Sequence, residues 1–149
     1  MARKGFVLWL AGVVVFVGAV GGSAAPFAYV ANSVSNNVSV IDIATNRVVA
    51  TVPVGQFAQG AAVTPNGSRV YATNTVDGTV SVINTATNSV VATVPVGLRP
   101  IGVTVTPNGS RVYVANINSS TLSVISTATN TVVATVTEGP NPLGVVVTP

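Results

Sequence analysis

The sequence predicts an all-β fold assembled from repeated four-stranded antiparallel units, and three observations carry this. A 42-residue pattern recurs without insertion or deletion from residue 29 to residue 149. Within each unit, short runs rich in Val, Thr, Ile and Tyr alternate with Pro, Gly and Asn turn signals, as packed, pleated strands require. No part of the repeat shows the apolar period of a helix.

The repeat is explicit in the residues. Tyr29-Val30-Ala31-Asn32 returns as Tyr71-Ala72-Thr73-Asn74 and Tyr113-Val114-Ala115-Asn116. Ser39-Val40-Ile41 returns as Ser81-Val82-Ile83 and Ser123-Val124-Ile125. Val49-Ala50-Thr51-Val52 returns as Val91-Ala92-Thr93-Val94 and Val133-Ala134-Thr135-Val136, and Pro65 and Pro107 align with Pro149. Self-similarity at this period is the mark of a repeat architecture.

One unit reads as four strands, at 101–106, 111–116, 121–127 and 131–136. The first is small and apolar on both faces, as suits a strand covered on both sides. Thr106-Pro107-Asn108-Gly109 ends it: Pro presets φ and Gly allows a positive φ. Asn116–Ser120 is a polar hairpin loop, and Thr127-Ala128-Thr129-Asn130 is a tight turn. The last connection, 136–142, is longer and holds Gly139, Pro140 and Pro142. Four antiparallel strands in about 40 residues are the signature of a β-propeller blade. A β-solenoid is the rival, but its coils are usually shorter and less rich in paired hairpins. Blades pack face to face, which accounts for a 48% hydrophobic composition without a membrane.

Residues 1–25 read differently. Arg3 and Lys4 precede an uncharged apolar run, Gly5–Val20, and then Gly21-Gly22-Ser23-Ala24-Ala25. This is the n-region, h-region and small-residue order of a secretory signal peptide. An uncleaved membrane anchor is the alternative, since Gly5–Val30 is long enough to span a bilayer. Either way residues 26–149, three repeats forming a partial propeller, are expected outside the cytoplasm: secreted, periplasmic or at the cell surface.

Composition narrows function further. The chain has no Cys and no His, which removes disulfides, thiolate chemistry, and the commonest general base and metal ligand. Its only acids are Asp42, Asp77 and Glu138. They fall at three different positions of the repeat in three different units, so no carboxylate pair or metal cage is expected. The net charge of +3 includes Arg3 and Lys4, and the scattered remainder gives no footprint for nucleic acid. No catalytic residue, cofactor site or metal site is expected.

These motifs resemble the YVTN family of β-propeller repeats. The resemblance rests on YVAN at 29–32, YATN at 71–74 and YVAN at 113–116, with VSVIDIATNRVVATVPVG at 38–55 and its counterparts at 80–97 and 122–139. It covers the whole chain after the leader. It implies an extracytoplasmic protein acting by binding, adhesion or cell-surface assembly, including surface layers. It also implies more units than the three seen here. The expectation is an incomplete or open propeller, either a fragment of a longer protein or a chain that self-associates to complete a ring. The alternative function is a fragment of a larger propeller enzyme, of lyase, lactonase or dehydrogenase type, whose catalytic residues lie outside this chain.

Any binding surface should lie where the units differ most. Those positions are the fourth-to-first connection and the second-to-third hairpin, which share one face of a propeller. The candidates there are Gln56, Phe57, Gln59, Asp77, Arg99 and Asn118. The partner would be a protein or a cell-surface ligand, with membrane contact only through the N-terminal segment if it is uncleaved. Arg69 and Arg111 align beside the PNGS turns and read as charges that keep strand ends solvated. Tyr29, Tyr71 and Tyr113 read as packing between units.

Overall fold

In the computed structural model, described for residues 26–149 and for two short strands before them, every regular element is a strand. The two early strands are β1 (Leu8–Leu10) and β2 (Val13–Val15), paired antiparallel. The expectations for the signal segment otherwise lie outside the described residues. Among these residues no helix is long and apolar enough to cross a membrane.

The first repeat forms β3 (Phe27–Asn32), β4 (Asn37–Asp42) and β5 (Arg47–Pro53). The second forms β6 (Ala58–Val63), β7 (Arg69–Asn74), β8 (Thr79–Asn84) and β9 (Ser89–Pro95). The third forms β10 (Pro100–Val105), β11 (Arg111–Asn116), β12 (Thr121–Ser126) and β13 (Thr131–Thr137). Each sheet is an antiparallel meander in sequence order, with three strands in the first and four in the second and third. Expected strand bounds hold to within a residue. The architecture is that of successive propeller blades in an open arc.

Turn chemistry explains the repeat. Gly67 and Gly109 take φ of 72° in the two PNGS turns, a region closed to most side chains. Asn66 Oδ1 accepts from the Ser68 amide and hydroxyl, at 3.1 and 2.8 Å, and Asn108 does the same for Ser110. Asn46, Asn88 and Asn130 hold φ of 54°, 49° and 52° in the third-to-fourth turns, where Asn is the best tolerated non-glycine.

Blades pack through inner strands and tyrosines. Val80, Val82, Val112, Val114 and Ile125 are fully buried between the second and third sheets, beside Tyr71. The Tyr71 hydroxyl donates to Asn130 Oδ1 of the next blade at 3.2 Å. The expectation of inter-blade packing holds for Tyr29 and Tyr71, while Tyr113 is only half-buried.

Residues 142–148 occupy, by period, the place of an inner strand but pair with no strand among the described residues. Their backbone lies against β10: a Cβ on Gly102 would come within 2.5 Å of the Leu143 carbonyl.

Candidate functional site

The fourth-to-first connections all turn in the same way. Phe57, Arg99 and Asn141 sit at φ of 59°, 53° and 59°, a left-handed conformation that costs a bulky side chain free energy. Hydrogen bonds from the neighbouring hairpin hold it. Asp77 Oδ2 accepts from the Gln56 amide at 2.8 Å, and Ser119 Oγ accepts from the Leu98 amide at 3.1 Å. Asn36 Oδ1 accepts from the Phe57 amide at 2.8 Å. Main-chain bonds complete the clamp: Thr75 and Val76 donate to the carbonyls of Phe57 and Gln56, and Ile117 and Asn118 to those of Arg99 and Leu98.

This clamp brings four of the six candidates together. Phe57, Asp77, Arg99 and Asn118 line one open cavity of about 410 Å³, with Val76 and Leu98 beside them. Val76 is 63% exposed and Leu98 64%, so the cavity mixes one carboxylate, one guanidinium and exposed apolar groups. That chemistry suits a shallow contact on rigidly held loops. Gln56 is exposed and its carbonyl accepts from the Val76 amide, but it does not line the cavity. Gln59 does not join it. Its side chain lies 3.0 Å from the Thr75 hydroxyl, and it lines a separate, more enclosed space of about 280 Å³ between inner strands.

The geometry gives Asp77 a second role that charge patterning missed. One carboxylate oxygen fastens the loop, as Ser119 does one blade on. Replacing Asp77 by Ala should lower stability by about 1 kcal/mol, the net worth of one exposed hydrogen bond. Asp77→Ser should restore it. Thermal melts of the two variants measure this, and equal losses in both would remove the fastening role.

Asp42, Arg69 and Arg111 serve turns and strand ends. Asp42 Oδ1 accepts from the Ala44 and Thr45 amides at 2.8 and 3.1 Å, as Asn84 does for Ala86 and Thr87. Arg69 and Arg111 begin β7 and β11, and Arg111 Nη1 donates to the Ser110 carbonyl at 3.0 Å. Among the described residues no group of three His, Cys, Asp or Glu is placed to hold a metal ion.

Asn32, Asn74 and Asn116 are a recurring feature whose role the sequence reading missed. Each amide nitrogen bridges the second-to-third hairpin. Asn74 Nδ2 donates to Thr79 Oγ1 and Ser81 Oγ, both at 2.9 Å, and Asn116 repeats this with Thr121 and Ser123. Their recurrence at the 42-residue spacing was the available signal.

Fold and site together define a β-propeller repeat protein with one varied loop face. The sequence profile matching residues 50–149 is described as a YNCE-like β-propeller, and the chain belongs to that family. The broader expectation of a propeller-repeat family therefore holds, with YNCE-like as the matching description.

No curated protein matches the chain in sequence. Solved structures do. The chain is similar to Kuenenia stuttgartiensis hydrazine synthase, at 26% identity and a TM-score of 0.77 over 79% of this chain and 34% of that one. It is also similar to a functionally unknown protein from Desulfotomaculum acetoxidans DSM 771, at 24% identity and a TM-score of 0.73 over 82% of this chain and 42% of that one. A third is the dihydro-heme d1 dehydrogenase NirN in complex with DHE, at 24% identity and a TM-score of 0.65 over 74% and 24%. The latter two show the fold alone. The chain spans about a quarter to two-fifths of these proteins' lengths.

Proposed function

We propose that these repeats form a non-catalytic propeller module that acts by display and assembly. The carrying observation is the clamped loop face, where Phe57, Asp77, Arg99 and Asn118 share one cavity. The residues that vary most between units stand there on a backbone held by bonds from the adjacent blade. The partner is a protein or a cell-surface ligand. The signal-type leader supports an extracytoplasmic address, and the YVAN and YATN motifs support a surface role of the YVTN type.

The alternative reading is the better supported of the two by the comparisons. The similarity to hydrazine synthase extends over a third of that enzyme's chain, and it favours a module of a larger propeller enzyme. Any chemistry would then be carried by residues outside those described, with this arc acting as scaffold.

The test is a triple variant, Phe57→Ala with Asp77→Ser and Arg99→Ala. Binding of labelled full-length protein to the envelope fraction of its own host should weaken at least about tenfold, or 1.4 kcal/mol. Unchanged binding by a folded triple variant would overturn the loop-face reading.

A further inference from the structure

We propose that the grooves between successive blades are saccharide-binding subsites, each taking a ring of a neutral glycan. The inference does not depend on the loop-face reading, because these grooves are separate cavities.

The first groove lies where the end of β5 meets the second blade. Its volume is about 490 Å³, within the range of small-ligand sites. Pro53 and Gly55 belong to one wall, and Thr79, Ser81, Val90 and Thr93 on β8 and β9 to the other. A second groove, of about 350 Å³, repeats it one blade on. Thr79, Ser81 and Thr93 return there as Thr121, Ser123 and Thr135. Two cavities with the same lining at the period of the repeat are a built feature of the fold.

Their chemistry selects the ligand. Thr79 Oγ1 and Ser81 Oγ each accept from Asn74 Nδ2 at 2.9 Å. A hydroxyl that accepts keeps its own proton for another partner. Thr93 is exposed on β9 and adds a third hydroxyl. Asn74 stands in the same lining. It is fully buried, and its Oδ1 has no hydrogen-bond partner. A buried acceptor of this kind calls for a donor. Asn116, one blade on, is fully buried with its Oδ1 unpartnered in the same way. Gly55 and Gly97 seat the groove walls against these two asparagines: a Cβ would strike Asn74 and Asp77 in the first groove and Asn116 and Ser119 in the second. Donors and acceptors therefore stand side by side. Sugar hydroxyls, each a donor and an acceptor at once, match that lining, while Val90 and Pro53 offer the C–H face of a ring an apolar contact.

Charge narrows the class. Neither groove is lined by Lys or Arg, and Asp77 lines the first, which disfavours an anion. Ser119 takes the place of Asp77 in the second, so a cation would find a carboxylate in one groove and none in the other. A neutral polyhydroxylated ligand fits both.

Isothermal titration of full-length protein tests this. Chitohexaose, maltohexaose and mannohexaose are the neutral probes, with polygalacturonate and calcium as charged controls. At least one neutral probe should bind saturably, and neither control should. Thr93→Val with Thr135→Val keeps side-chain shape and removes one hydroxyl from each groove. It should weaken sugar binding at least about tenfold with an unchanged circular dichroism spectrum. Thr93→Ser with Thr135→Ser keeps the hydroxyls and should bind like the wild type. Asp77→Ser gives the first groove the lining of the second and should still bind. Phe57→Ala with Arg99→Ala alters the loop cavity alone and should leave sugar binding intact, so the two readings fail separately. No saturable binding of any neutral probe, binding of a charged control alone, undiminished binding by the valine pair, or loss of binding in Asp77→Ser would overturn the proposal.

Discussion

Replacing Tyr71 by Ala is expected to cost about 3–5 kcal/mol, the range for deleting a large buried aromatic ring. Tyr71 is fully buried between the second and third sheets, among Val80, Val112 and Val114. In a domain of this size each kcal/mol lowers the melting temperature by roughly 2–4 °C, so the melt should fall by roughly 6–20 °C. Tyr71→Phe keeps the ring and loses only the bond to Asn130, worth about 1 kcal/mol. The pair therefore separates packing from hydrogen bonding, and equal losses would contradict the packing assignment.

The same hydroxyl predicts an alkaline limit. Burial raises the Tyr71 pKa above its ordinary 10.0, with nearby Arg69 opposing, and burial raises Tyr29 as well. The folded state keeps these protons where the unfolded chain releases them. Their contribution is complete below pH 10 and is lost as pH rises through the folded pKa values. Wild-type stability should decline above pH 10, and Tyr71→Phe should decline less steeply.

The second large effect is expected at Gly60. A side chain there would meet the Ile101 carbonyl, Thr73 Oγ1 at 3.1 Å and Val103 Cγ1 at 3.1 Å. The carbonyl belongs to β10 and cannot withdraw without moving that strand. Gly60→Val should lose about 3 kcal/mol, the upper end of overpacking costs. Denaturant unfolding measures it, and a loss below about 0.5 kcal/mol, the scale of an ordinary surface change, would mean that the inner strands do not approach so closely.

Much of this fold was legible because each blade is written in local chemistry. The Pro-Asn-Gly and Thr-Asn turn residues sit where their preferred φ values are used, and β-branched runs between them leave no competing pattern. The sequence also located the varied face, since the loops of unlike residues at 56–59, 75–78, 98–101 and 117–120 converge by topology. What it did not show depends on contacts between repeats. Phe57 and Arg99 carry no signal for a left-handed turn; bonds from Asn36, Asp77 and Ser119 in other hairpins impose it. Gln59 adjoins the loop face in sequence, but a bulge between Ala58 and Ala61 intervenes and its side chain lines the inner space instead.

The most direct test of the functional account compares the two ends of the propeller in one binding isotherm. The clamped loop face is altered by the Phe57, Asp77, Arg99 triple variant. The opposite end is altered by Arg69→Ala with Arg111→Ala, beside the near-identical PNGS turns. Binding to the host envelope fraction should fall at least about tenfold in the first and stay at the wild-type value in the second. Loss in the second with retention in the first would contradict the assignment of function to the varied face.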